Sequence, residues 1–387
     1  MNEKFIPLSV PNLKGNELQY VTHAIETEWV STAGAYIADF ERIIADYVGV
    51  PDAVACQSGT AGLHIAFMLC GVTRGDMVIA PTLTFIAAVN PIKYIGAEPV
   101  FMDCDNSLCI DPVKLEAFCR DECEFLDGVL RHKTTGKRIP AMVVVHVFGN
   151  MADMESILRI ADAYHIKVVE DATEALGTKY THGSFAGRFA GTMGDIGVYS
   201  FNGNKIITTG GGGMIVSNNE ELLRHARHLT TQAKSDEQNF LHNEVGYNYR
   251  LTNLQAALGL AQMEQLEDFI AIKIRNYEQY KNFVTDIPGL SMLDFREGTR
   301  SNHWFYSLYC DDSYPLKPNE LIELLKSENI QARPIWGLIH EQKPYGNSLA
   351  YSIETAKEYW RHIVNLPCST NLSAEDVARV VAALRRK

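Results

Sequence analysis

Apolar and polar positions alternate along this chain in two distinct regimes. From residue 53 to residue 217, short apolar runs recur, most followed by a polar turn and a helical pattern. The runs Ala53–Gln57, Met77–Ala80, Pro99–Asp103, Ala141–Val147, Ile166–Glu170, Ile196–Ser200 and Met214–Ser217 are nearly continuous in apolar residues, as strands buried on both faces are. Helical periodicity follows over Leu63–Leu69, up to about Tyr94, over Asp153–Tyr164 and over Glu220–Arg227. This repeat predicts a mostly parallel sheet covered by helices on both faces. Two amphipathic helices, Glu17–Thr27 and Ala38–Val48, precede it, and two long ones, Asn253–Leu266 and Ile270–Phe283, follow it. Residues 120–139 interrupt the repeat and read as an inserted hairpin or loop, and residues 231–243 as a mobile polar loop. From Leu290 the pattern changes to separated strands (Trp304–Tyr309) and amphipathic helices (Asn319–Asn329, Ser373–Leu384). The expectation is an α/β protein of two domains. An N-terminal arm and large domain would span 1–266. A linking helix and a smaller α+β domain would span 267–387.

Composition narrows the class. The 387 residues carry 47 acidic and 35 basic side chains, a net charge of −12, which argues against nucleic acid or an anionic membrane as partner. No stretch is apolar enough to span a bilayer, and the first residues lack the apolar core of a signal peptide. Cysteines at 56, 70, 104, 109, 119, 123, 310 and 368 are scattered; only Cys119 and Cys123 are close, and without a second pair no metal site is expected. Reduced cysteines and a cytoplasmic location follow as the default.

The chemistry gathers at strand ends. Ser200-Phe-Asn-Gly-Asn-Lys205 places one lysine between a strand and the glycine run Gly210–Gly213, among small uncharged neighbours. Such a lysine loses its proton readily and attacks a carbonyl; a flexible surface turn accounts for the same residues. Ser58-Gly59-Thr60 runs from a strand into a helix N-terminus, a geometry for phosphate or for a plain N-cap turn. Asp171 ends a strand, where a buried carboxylate needs a cation; with Glu174 three residues on, it also suits a helix cap. Phe85 follows a strand and could lie on a flat ring or fill the core. A lysine, an anion site and a carboxylate are the three needs of pyridoxal 5′-phosphate: a carbonyl partner, a phosphate holder and a counter-charge for the ring nitrogen.

The segments Ser58-Gly-Thr-Ala, Glu170-Asp-Ala-Thr-Glu-Ala-Leu-Gly177, Ser200–Lys205 with its glycines, and Gly246-Tyr-Asn-Tyr-Arg-Leu-Thr-Asn253, in this order, resemble the motifs of the DegT/DnrJ/StrS sugar aminotransferases. The resemblance spans about residues 5–370 and implies a fold type I pyridoxal-phosphate enzyme. By position it makes Lys205 the residue that bonds the cofactor and moves the substrate proton. Asp171 would face the ring nitrogen and Phe85 would stack on the ring. Ser58, Gly59, Thr60 and Ser200 would hold the phosphate. Glu174 stands where many relatives have glutamine near the ring hydroxyl. Asn248 would reach the phosphate of a neighbouring subunit, which implies a homodimer. Trp29, Asn202, Arg250, Arg333, His146 and His303 are candidates for substrate, the two arginines through their planar donor fork, with ordinary salt bridges as the other account of them.

Within the family, Asn202–Gly212 and Arg333-Pro-Ile-Trp336 are written as in the LegC and PglE enzymes, and the opening Pro11-Asn-Leu-Lys-Gly-Asn-Glu17 and Trp29–Gly34 lean toward LegC. That implies transfer from L-glutamate to C4 of a UDP-linked 4-keto-6-deoxy-N-acetylhexosamine (UDP-2-acetamido-2,6-dideoxy-α-D-xylo-hexos-4-ulose), for legionaminic acid or alternatively N-acetylbacillosamine. The family's sugar dehydratases place histidine where this chain has Lys205, which disfavours dehydration. A non-catalytic regulator would lack the lysine or the aspartate, and both are present.

Overall fold

The computed structural model describes residues 4–236 and 238–386. An eight-stranded sheet runs in the order Asp52–Cys56, Gly213–Ser217, Ile196–Ser200, Lys167–Asp171, Ala141–Val145, Met77–Pro81, Glu98–Met102 and Leu349–Tyr351. From Ile196–Ser200 onward every pairing is parallel, whereas Gly213–Ser217 runs against both of its neighbours. The reversal has a local cause. Residues 201–212 contain no helix, so the chain folds back beside the strand it has just left, and a parallel neighbour needs a longer crossover. Gly213 is level with both Cys56 and Ser200. The loops that leave Cys56, Pro81, Val145, Asp171 and Ser200 therefore open at one sheet edge, where ligands of open α/β sheets bind.

The first helix of the repeat is longer than its periodicity suggests. It spans Gly59–Leu69 rather than starting at Leu63, because the Ser58 hydroxyl caps it by accepting from Ala61 N. Gly62 is tolerated inside it for a packing reason: a Cβ there would stand 2.7 Å from Val198 Cγ1. The helical pattern up to Tyr94 splits into a short turn, Ile86–Ala88, and the helix Asn90–Tyr94. Pro91, which has no N–H to continue a helix, opens the second piece. Residues 120–139 do form a hairpin, Cys123–Leu126 against Val129–His132. The polar stretch 231–243, of which residue 237 lies outside the described residues, holds a second one, Lys234–Asp236 against Leu241–His242.

The C-terminal part forms an antiparallel sheet ordered Leu290–Met292, Tyr306–Cys310, Ile363–Leu366, Arg333–Pro334. The helix Leu266–Val284 leads into it. Among the described residues, three strand pairings cross the expected boundary after residue 266, one of them Thr299–Arg300 against Lys179–Tyr180. Leu349–Tyr351 adds to the edge of the large sheet, and the N-terminal arm pairs Ile6 with Ile330 of the C-terminal part. These segments are too short to show periodicity, so their partners were not readable.

Asp103 bolts the two parts together. Its buried carboxylate accepts from Lys114 Nζ (2.6 Å) and from the N–H groups of Glu354, Thr355 and Ala356 (2.8–2.9 Å). It thereby caps the helix Thr355–His362 from outside. Burial pushes this carboxyl up, but those donors outweigh it and hold its pKa below the usual value. Asp103→Ala is expected to lower the unfolding free energy by about 3 kcal/mol, read by urea unfolding. The Asp103 contribution is full above the ordinary carboxylate pKa of about 4 and fades as pH falls through the lower folded value. The variant should therefore lose less stability on acidification than the parent.

Candidate functional site

Five strand-end loops of the large sheet and a strip of the C-terminal part enclose a cavity of about 350 Å³. The Gly59–Leu69 helix points its N-terminus into it, with Ser58, Gly59 and Thr60 on the wall. The unpaired N–H groups of a helix start and the positive end of its dipole favour an anion. Glycine is needed twice here. A Cβ at Gly59 would lie 2.9 Å from Thr173 Cγ2, and one at Gly213 would lie 2.7 Å from the Ser58 backbone. The Ser200 hydroxyl stands beside the same helix end.

Asp171 reaches the cavity from the end of its strand. Its Oδ1 accepts from Thr173 N at 3.0 Å. It is buried, and no ion pair compensates it among the described residues. Burial raises its pKa. A buried, uncompensated carboxylate aimed into a cavity is a place for a cation that the chain itself does not supply.

Lys205 closes the other side. Its Nζ is 3.5 Å from Glu174 Oε1 and 4.1 Å from the centroid of the Trp304 ring. Glu174 is fixed from behind by Phe148 N, which donates to Oε2 at 2.8 Å. Phe148 adopts φ 57°, an uncommon backbone state for a non-glycine residue, and this turn aims its N–H at the carboxyl. Burial lifts Glu174 to about 7 against the pull of Lys205. A folded state that binds this proton more tightly than the unfolded chain loses stability as pH rises from 4.5 toward 7. Glu174→Gln is expected to remove that slope from the cofactor-free protein and the inflection near neutrality from the turnover profile. Denaturant midpoints and kcat measured across that pH range check both.

The other expected residues divide. Phe85 lies at the mouth of the cavity, half exposed, and Asn202 lines it. The remaining substrate candidates do not line it. His146 is wholly buried: its Nδ1 accepts from Ala152 N and its Nε2 donates to Glu170 Oε2 at 2.8 Å, so both nitrogens are used inside the core. His303 packs between Phe295 and Tyr277, and burial lowers its pKa to about 4. Arg250 donates to Glu41, which also pairs with Arg227; the salt-bridge account of Arg250 holds within this chain. Arg333 sits on an exposed edge strand, and Trp29 is exposed, its carbonyl accepting from Asn253 Nδ2. Asn248 is exposed beside Thr231, away from this cavity.

Sequence reasoning missed the aromatic wall. Trp304, Phe305 and Trp336 enter from the C-terminal part, and Phe148 packs 4.6 Å from Trp336. The strand expected at Trp304–Tyr309 begins only at Tyr306, which frees the first two aromatics to face the cavity. The polar pair Asn302-His303 ahead of two consecutive aromatics was the available signal. A larger hollow of about 710 Å³ lies elsewhere, lined by Asp105, Asp111, Asp153, Glu155, Asp294 and Arg296. Its carboxylates would repel a phosphate, and it holds no lysine.

The model of the DegT/DnrJ/EryC1/StrS aminotransferase family matches residues 11–385. The chain belongs to this family. EpsN of Bacillus subtilis (strain 168), named as a pyridoxal phosphate-dependent aminotransferase, is 36% identical over 98% of this chain and 95% of its own. GDP-perosamine synthase of Caulobacter vibrioides is 35% identical over 98% of this chain and 97% of its own. The solved structure of DesI in the presence of its TDP-sugar product shares 26% identity and a TM-score of 0.87, covering 99% of this chain and 93% of that one.

This DegT-family aminotransferase has the fold type I architecture and uses pyridoxal 5′-phosphate. The residues present fit that cofactor. The helix start at Ser58–Thr60 and the Ser200 hydroxyl suit its phosphate. The uncompensated Asp171 carboxylate suits its protonated ring nitrogen. Lys205 is the only lysine on the cavity wall among the described residues.

Proposed function

We propose that the chain moves an amino group from L-glutamate to C4 of a nucleotide-linked 4-keto-6-deoxy sugar. In the finer reading the acceptor is the UDP-linked N-acetylhexosamine UDP-2-acetamido-2,6-dideoxy-α-D-xylo-hexos-4-ulose and the product serves legionaminic acid or, alternatively, N-acetylbacillosamine synthesis. One observation carries the reaction class: Lys205, Asp171 and the Gly59–Leu69 helix start converge on one cavity. The UDP and N-acetyl assignments rest on the written likeness of residues 202–212 and 333–336 to the LegC and PglE enzymes. A GDP-linked acceptor is the second reading, favoured by the 35% identical GDP-perosamine synthase.

Pyridoxal phosphate supplies an electron sink next to the reacting carbon. The chain supplies the rest. Ser58, Gly59, Thr60 and Ser200 anchor the phosphate end, and Asp171 holds the ring nitrogen protonated. Lys205, as a free amine, carries the proton to and from the substrate carbon, and the face it occupies sets the configuration of the new amine. A second copy completes the site in this reading. Phe240, Leu241 and Val245 are exposed apolar residues just ahead of Asn248, and an apolar segment there suits burial against a partner. The eight buried, unpaired cysteines agree with a reducing compartment such as the cytoplasm.

The test is incubation with L-glutamate and either the UDP-linked or the GDP-linked 4-keto-6-deoxy sugar. The expected result is 2-oxoglutarate release with a new C4 amine on the UDP sugar, its configuration read by NMR. Faster turnover of the GDP sugar would establish the second reading. No 2-oxoglutarate with any keto sugar would refute the transaminase.

A further inference from the structure

Trp304 touches Lys205 at both ends. Its indole Nε1–H donates to the carbonyl of Asn204, the residue before the lysine, at 2.7 Å. Its ring face lies 4.1 Å from Lys205 Nζ. The indole is itself held on several sides. Its backbone N–H donates to Asn302 Oδ1 at 3.0 Å, and its backbone carbonyl accepts from the buried Lys273 at 2.9 Å. The Phe305 ring stacks on it at 4.0 Å. Asn302 also donates through Nδ2 to the carbonyls of Glu174 and Leu176. One asparagine thus ties the strip that carries Trp304 to the turn that carries Glu174. His303, between them, takes φ 51°, a state that neighbours must impose on a non-glycine residue.

A flexible four-carbon side chain in an open cavity would sample many directions, and freezing it has an entropic cost. Here the root of the side chain is gripped through Asn204, and its tip lies between an aromatic face and the Glu174 carboxyl. An aromatic face attracts an ammonium. We propose that Trp304 is a positioning residue that holds the Lys205 amine, whenever it is not bonded to the cofactor, in the direction from which it serves the substrate carbon. This rests on the role given to Lys205 above. Pre-set geometry of a proton-carrying group acts on the chemical step rather than on substrate affinity.

Trp304→Phe keeps a ring face and loses the N–H donor; Trp304→Leu loses both. The expected result is a graded loss, about 3-fold in kcat for phenylalanine and about 30-fold for leucine, with KM for L-glutamate within about 2-fold. The covalent capture of added pyridoxal phosphate by stripped protein, followed by its visible absorbance, should slow in the same order. Thermal unfolding controls for packing, and the phenylalanine variant keeps the test open if leucine fails to fold. Unchanged kcat and capture rate in a folded Trp304→Phe and Trp304→Leu, or a loss confined to KM, would overturn the proposal. Failure of the Lys205 assignment reads differently: Lys205→Ala would then stay coloured and active, whatever Trp304 does.

Discussion

Lys205→Ala is expected to yield a folded protein without the visible absorbance of bound cofactor and with turnover reduced on the order of 10⁴-fold. Two losses combine in this one change. The covalent anchor for the cofactor's aldehyde carbon disappears, and so does the amine that carries the proton, a role worth about 10²–10⁴-fold by itself. No neighbour can replace it. Among the described residues no other lysine lines the cavity, and the buried Lys273 is committed to the carbonyls of Trp304 and Cys368. Stability should change little, since the ion pair Lys205 makes among the described residues is with Glu174 at 3.5 Å, a group that burial already pushes toward its neutral form. The measurement is an absorbance spectrum and a glutamate half-reaction on the purified variant, with urea unfolding as the control. Retained colour with retained turnover would remove Lys205 from the chemistry.

Asp171→Asn is the second large effect. The carboxylate is buried and lacks an ion-pair partner, so the apo site carries an electrostatic deficit that a protonated ring nitrogen relieves. Asparagine has nearly the same shape and can still accept from Thr173 N. It cannot counter a positive ring. Cofactor should still bind through its phosphate at Ser58–Thr60, while kcat falls by roughly 10²–10³-fold, the usual cost of removing one aimed charge from a buried site. Removing an uncompensated buried charge should also leave the cofactor-free protein as stable as the parent or more so. A variant that turns over normally would mean that another group faces the ring nitrogen.

Much of this architecture was legible because its signals are local. Seven of the large sheet's strands announced themselves as apolar runs, and three strand-end motifs and a fourth at Gly246–Asn253 fell in family order. What escaped was set by distance. Leu349–Tyr351 joins the large sheet from the far side of the chain, and three residues carry no periodicity. The reversed direction of Gly213–Ser217 depended on the absence of a helix in 201–212. His146 looked available at a strand end, yet its partner Glu170 lies on the adjacent parallel strand, and only the register reveals the pair. The motif residues Lys205, Asp171, Ser58 and Gly59 line one cavity, and Trp304 and Trp336 reach it from the C-terminal part. Aromatic residues read as core in a sequence, and only the fold shows which of them face a cavity.

One covalent bond at the Lys205 side chain underlies every role assigned in this site. The direct measurement is hydride reduction of the purified holoenzyme, which makes that bond permanent, followed by peptide mass mapping. The added cofactor mass is expected on the peptide containing Lys205 and on no other. Cofactor retained on a different lysine, or lost entirely after reduction, would contradict this assignment.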